Sequence, residues 1–348
     1  MENLNSSLYL RNKRLEVLKS SLFEEKNKGR LAFILGNGIN RYNPNDLSWA
    51  ALIKQAYAYC LGKDSPIPLE DISLTELYDM VTLDAFAIRS DECKDLNREM
   101  ARISKNVKGH IRSKIIDIVG RKVDYHDWLQ RKFAEWNVPV LTTNYDKNIE
   151  SGMKQYVIPS SAHAKGFSDS YLFNVYYADK PIDRSSEVNF FNHFAVWHIH
   201  GRVNHLRSIR IGLSDYMNLL TATKDWLHNK AHLYNVVTEQ TRWGMKSKEK
   251  PDPDYAFTWL NIFYNCSICI NGLALNQDES YLRWLLISRK KYLERVGLSH
   301  LKGWYVCHPS DLTDGKRFFL EKTGLEVVEL SDNRERYEAM FELKETDI

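Results

Sequence analysis

The stretch "VPVLTTNYDKNIE", residues 138–150, sets a short apolar run against four polar side chains, Thr142, Thr143, Asn144 and Asp146, with Tyr145 between the last two. The apolar start reads as a buried strand. Polar groups at the end of such a strand need partners, either within the protein or on a ligand. A helix running on through Ile149 and Glu150 would let Thr143 or Asn144 cap its first turn, which accounts for one of the four. The rest ask for a site.

Working outward, "LAFIL" (31–35) is another short apolar run, closed by "GNG", and Trp49, Leu52, Ile53, Ala56 and Cys60 then share one helical face. Asp46 or Ser48 is available as its N-cap and Gly62 as its stop, so the order is strand, glycine turn, helix. Further buried strands are expected at "VPVLTT" (138–143), "FAVWHIH" (194–200), "IRIGL" (209–213), "CSICING" (266–272), "GWYVCH" (303–308) and "LEVVEL" (325–330). Helical patterns lie between several of them. In "DESYLRWLLISRKKYLERVG", for example, Tyr281, Leu282, Leu285 and Leu286 would face a sheet. Short apolar strands alternating with helices predict an α/β fold, a Rossmann-like and largely parallel sheet covered by helices on both faces.

The expected organisation is an N-terminal amphipathic helix (1–30, with Leu15, Leu18 and Leu22 in one stripe), a nucleotide-binding domain (31–335) and a C-terminal tail (336–348). A helical insertion is expected over residues 63–136, with Trp128, Leu129 and Phe133 on one of its stripes, and a second insertion over 214–260. The charged, proline-bearing "MKSKEKPDPD" (245–254) reads as an exposed loop.

Composition removes several classes of function. The chain has 348 residues, 43% of them hydrophobic, and a formal net charge of +3 with both signs interspersed, so no basic field points to nucleic acid. The longest uncharged stretch, Tyr255–Gln277, carries Asn261, Asn265, Ser267, Asn271 and Asn276, too polar to span a membrane. Five scattered cysteines make no disulfide framework and fit a reducing, cytoplasmic setting. Cys266 and Cys269 lie within one expected strand and point to opposite faces, so no structural zinc is expected.

In an open parallel sheet, ligands sit where the loops leave the carboxyl ends of the strands. At the first such end, "LGNGIN", Gly36 and Gly38 would let a diphosphate approach the backbone. The third glycine of the dehydrogenase fingerprint is replaced by Arg41, which disfavours a hydride-transfer enzyme. "HIHG" places His198 and His200 on one strand face, with Gly201 opening room beside His200. "INGLALNQDESYLRWLL" ends its strand at Gly272 and sets Asp278 before a helix, where it is either an N-cap or a ligand-binding carboxylate.

Taken in order, these segments resemble the sirtuin-like family of NAD-consuming domains. "FILGNGINRYNPNDLSWAALI" is similar to its opening glycine loop and the helix after it. "YHDWLQRKFAEWNVPVLTTNYDKNIE" resembles its Thr-Thr-Asn-Tyr-Asp strand end, "VWHIHG" its histidine-glycine, and "ICINGLALNQDESYLRWLL" its late glycine and aspartate. "GWYVCH" and "GLEVVEL" fit the closing strands. The likeness runs from about residue 31 to 330 and is greatest to a bacterial branch that hydrolyses NAD in antiviral defence. The two paired Cys-x-x-Cys motifs and the Pro-Asp-Phe-Arg stretch of the family's deacylases are absent, which argues against acyl-lysine chemistry.

The resemblance implies roles for particular residues. Asn144 would orient the nicotinamide ribose or the attacking water, and His200 would act as general base. Asp146 would hold the carboxamide. Gly36, Gly38 and Asn40 would meet the diphosphate, with Asn37 and Thr143 beside them, while Gly272 and Asp278 would lie near the adenosine half. Arg41 would reach the phosphates or the nicotinamide side, or stand as a surface arginine. The implied activity is NAD glycohydrolase, with NAD as substrate and no metal. Alternatives on the same site are ADP-ribosyl transfer, NAD-dependent deacylation and a non-catalytic module sensing NAD or ADP-ribose. Unregulated NAD hydrolysis is toxic, so control by a homo-oligomer or by a partner subunit such as an ATPase is also expected.

Overall fold

The computed structural model describes residues 2–42, 49–61, 72–87, 95–119, 124–158, 173–185, 187–225, 227, 234–235, 240–241, 257–331 and 335–341. Its strands are β1 (Leu31–Leu35), β2 (Val140–Thr142), β3 (Lys154–Val157), β4 (Val175–Ala178), β5 (Val196–His198), β6 (Tyr234–Asn235), β7 (Gln240–Thr241), β8 (Ser267–Asn271), β9 (Gly303–Cys307) and β10 (Glu326–Glu329). Its helices are α1 (Glu2–Asn27), α2 (Trp49–Leu61), α3 (Leu74–Ala87), α4 (Leu96–Val119), α5 (Asp124–Trp136), α6 (Glu187–Phe191), α7 (Leu213–Asp225), α8 (Trp259–Asn265), α9 (Ser280–Val296), α10 (Asp314–Lys322) and α11 (Glu335–Phe341).

Eight strands form one sheet in the order β10-β9-β8-β1-β2-β5-β4-β3. The run from β10 to β5 is parallel, and β4 and β3 add an antiparallel edge. The fold is the mixed α/β, Rossmann-like one the alternation predicts. Strand β1 sits at the centre because all five of its side chains are apolar and buried, as a strand covered on both faces requires. Phe33 and its odd-numbered neighbours pack with Leu18 and Leu22 of α1, Leu129 and Phe133 of α5 and Phe341 of α11. Ala32 and Ile34 face the other way, toward Tyr216 of α7 and Tyr281, Leu282 and Leu285 of α9.

Several expectations change. Helix α5 is not part of an insertion: Leu129, Phe133 and Trp136 cover the sheet directly. The inserted helices are α2, α3 and α4, which build a third core with Tyr145, Val203, Ile209 and Ile211 from the loops beyond β2 and β5. Residues 336–341, expected as a tail, belong to α11, with Tyr337, Met340 and Phe341 in the core. "IRIGL" is not a strand; it leads into α7, and Ile209 and Ile211 bury against the inserted helices. Of the second insertion, α7 covers the sheet through Tyr216 and Leu219, while the 245–254 loop lies outside the described residues. Among the described residues no helix is long and apolar enough to cross a membrane.

Candidate functional site

The order β8-β1-β2-β5 brings four strand ends side by side, those followed by Gly272, Gly36, Thr143 and Ile199. The glycines of the first loop serve the protein before any ligand. Gly38 N–H donates to Gly272 O at 2.7 Å, and a Cβ on Gly38 would stand 2.6 Å from the Gly272 Cα. Gly272 itself has φ of +66°, which glycine tolerates best. Gly38→Val is therefore expected to lower stability by at least about 1–3 kcal/mol, because the branched side chain meets backbone that has nowhere to move. Thermal unfolding with and without NAD checks this; an unchanged midpoint would mean the two loops are not locked together.

At the end of β2 the polar side chains knit strands together. Thr142 Oγ1 donates to Leu35 O (3.1 Å) and accepts from Asn144 N–H (3.1 Å). Asn144 Nδ2 donates to Gly36 O (3.2 Å), which joins the ends of β1 and β2. Half-buried Thr143 donates its backbone N–H to Leu35 O. The helix expected over "KNIE" does not form, so neither Thr143 nor Asn144 is a cap: Asp146 Oδ1 accepts from Asn148 N–H (3.0 Å), and residues 149–152 run as a turn.

Asn40 is the hub of a second network. It donates to Asn37 Oδ1 (2.8 Å) and Asp146 Oδ2 (2.7 Å), and its own Oδ1 accepts from His126 Nε2 (2.9 Å) and Asn148 Nδ2 (3.3 Å). Both amide hydrogens are thus spent inside the protein, and the expected donation from this side chain to a diphosphate has no hydrogen left to make it. Arg41 follows in the same turn, with its side chain outside the described residues. His126 and Asn148 carry no sequence signal that would single them out.

The two histidines of "HIHG" do not share a face. Strand β5 ends at His198, and the chain turns through Gly201, whose φ is +90°. His198 bonds Asn144 O through Nδ1 (2.7 Å) and Glu150 Oε1 through Nε2 (2.9 Å). Arg202 Nε also donates to Glu150 Oε1 (2.8 Å), and its guanidinium lies 3.8 Å from the Tyr177 ring centroid. Burial pushes the Glu150 carboxyl up, but His198 and Arg202 outweigh it and hold the group below the usual range.

His200, 1% exposed, turns instead toward α7 and α9. Its Nδ1 is 2.9 Å from Tyr216 OH, and its Nε2 is 3.8 Å from Glu279 Oε2, with no hydrogen-bond partner of its own among the described residues. Burial drives its pKa down to about 3, so the imidazole is neutral at physiological pH. The Glu279 carboxyl is pushed up to about 7, first by burial and then by Asp278, with a Tyr216 hydrogen bond opposing.

Beside these ends opens a cleft of about 1180 Å³, walled by Gly38, Ser73, Gly272, Asp278, Arg283 and Lys316 among others. The inserted helices close over it, since Asp278 Oδ1 accepts from Leu74 N–H at the start of α3 (2.8 Å). Asp278 is thus not the N-cap of α9; that position is Glu279. Asp278 stands on the cleft wall and its neighbour Glu279 faces His200, which joins the cleft to the buried pair. Cys266 and Cys269 pack into the cores on opposite sides of the sheet, and among the described residues no group of three or more His, Cys, Asp or Glu could hold a metal.

The model of the SIR2-like domain family matches residues 138–240, the segment that holds Asn144, Asp146 and His200. No curated protein matches the chain. A SIR2-like domain implies binding of NAD, and its match to the part of a Rossmann-like sheet that carries the ends of β2 and β5 supports a sirtuin-like family for this chain.

Proposed function

We propose that the protein is a NAD glycohydrolase that cleaves NAD to nicotinamide and ADP-ribose. The observation that carries the reading is His200: a buried, neutral imidazole whose Nε2 has no hydrogen-bond partner among the described residues, in the segment matched by the SIR2-like model. Water attacks C1′ of the nicotinamide ribose, the N-glycosidic bond breaks, and its electron pair neutralises the cationic nicotinamide ring. The water proton passes to Nε2. The leaving group needs little acid help, so what the site supplies is position and electrostatics. Asn144, anchored to Gly36 O, orients the ribose or the water, and Asp146 holds the carboxamide. Gly36 and Gly38 admit the diphosphate, and the cleft walled by Gly272 and Asp278 takes the adenosine half.

Tyr216 and Tyr281 pack around His200, with ring centroids 5.0 and 6.4 Å away, and this enclosure supports a small nucleophile over a protein acceptor. The biological reading is NAD depletion as an effector of antiviral defence, controlled by assembly with copies of itself or with a partner such as an ATPase. Chromatography of the products of NAD incubated with the assembled protein tests the activity. Equal amounts of nicotinamide and ADP-ribose are expected. Nicotinamide without free ADP-ribose would mean transfer, and intact NAD in every state would mean a sensing module.

A further inference from the structure

Glu279 occupies the N-cap position of α9, yet its side chain makes no capping bond. An acidic residue at a helix start ordinarily accepts first-turn amides. This one turns its Oε2 toward His200 Nε2, 3.8 Å away, and both atoms are buried without a hydrogen-bond partner among the described residues. Leaving a buried polar atom unpaired costs about 1–3 kcal/mol. Two such atoms facing each other are the two halves of a grip on a third group that can both give and take a hydrogen bond.

We infer that Glu279 is a catalytic residue of this site, its Oε2 and the Nε2 of His200 together holding one hydroxyl, either the attacking water or a ribose hydroxyl. The inference rests on the glycohydrolase reading for the reaction it serves. In the step itself the hydroxyl O–H bond breaks, its proton goes to Nε2, and the oxygen keeps the electron pair. The imidazolium so formed lies against the Glu279 carboxylate. The step requires the tautomer in which His200 Nδ1–H donates to the Tyr216 oxygen across the 2.9 Å contact, which leaves the lone pair on Nε2. A histidine this deeply buried is a weak base unless an anion shares its surroundings, and Glu279 is the carboxylate that faces it.

Besides His200, the groups around Glu279 are Asp278 next to it in the chain, Tyr216 and the charge of Asp215 on α7, and Tyr145 beyond β2. Of these, Asp278 holds the Glu279 proton on rather than off, while the Asp215 carboxylate is paired with Lys108 and Arg210. Since the base requires the carboxylate, turnover is expected to rise with pH through about 7 as Glu279 deprotonates.

Glu279→Gln, which keeps the shape and removes the charge, tests this. An opposite charge within about 4–6 Å favours a charged form by roughly 1–3 pKa units, so turnover is expected to fall roughly 10- to 100-fold with NAD affinity near wild type and the rise through neutral pH lost. NAD lacking the 2′-hydroxyl of its nicotinamide ribose identifies the held group. If the hydroxyl is the ribose 2′-hydroxyl, the variant and wild type turn over this analogue equally; if it is water or the 3′-hydroxyl, the variant keeps its deficit. NMR of histidine-labelled protein, with the His200 signal assigned from His200→Ala, gives a second readout that needs no turnover. His200 is expected to titrate at lower pH in Glu279→Gln. Wild-type turnover and pH profile in the variant, or an unchanged His200 titration, would overturn the inference. If wild type releases no nicotinamide, the glycohydrolase reading falls, and the NMR result still decides whether the pair is coupled.

Discussion

His200→Ala is expected to lower nicotinamide release by about 10²- to 10⁴-fold, the usual worth of a positioned base, while NAD binds close to wild-type affinity. The imidazole contacts Tyr216 through one nitrogen and presents the other toward Glu279. Its loss removes the proton acceptor without touching Gly36, Gly38 or the cleft wall. Steady-state kinetics with a separate binding titration separates the effects. Near-normal turnover would end the assignment of His200 as base, even if NAD binds where proposed.

Glu150→Ala carries the largest expected loss of stability, about 3–5 kcal/mol, because it removes the anion that two buried groups share and leaves both unpaired. Arg202 and His198 both bond Glu150 Oε1, and Glu150 is 2% exposed. Urea unfolding measures the loss; a change under about 1 kcal/mol, the range of an exposed pair, would mean the cluster is solvated. Rate should fall too, since His198 bonds the carbonyl of Asn144 and loses its own anchor when Glu150 goes. For the same reason His198 is no idle neighbour of His200: its removal is expected to disturb Asn144 as well as the core.

What the sequence revealed, and what it hid, divides along physical lines. Strand β1 was legible because a strand buried on both faces is a continuous apolar run, and α9 because Tyr281, Leu282, Leu285 and Leu286 repeat at helical spacing. Helix α5 has an equally clear stripe, but amphipathicity says only that a face is buried, not against what, so it was grouped with the insertion. Edge strand β3, "KQYV", is largely exposed and lacks any apolar pattern. The placement of His198 and His200 on one face followed strand alternation, which stops where β5 stops. Asn144, Asp146, His200 and the glycines stood out because polar or glycine residues at strand ends are conspicuous beside apolar runs. Glu279 did not, since an acidic residue before a helix looks like a cap, and its partner lies on a distant strand end. Asn40 was read as a ligand donor because its saturation by Asn37, Asp146, His126 and Asn148 comes from three separate segments.

The most direct measurement is an experimental structure of the His200→Ala protein with NAD, in which slowed cleavage keeps the substrate whole. The diphosphate is expected at Gly36 and Gly38, the adenosine in the cleft walled by Gly272 and Asp278, and the nicotinamide ribose beside Asn144, Glu279 and the vacated imidazole position. NAD bound with its ribose away from Asn144, or no NAD at all at the ends of β1, β2, β5 and β8, would contradict it.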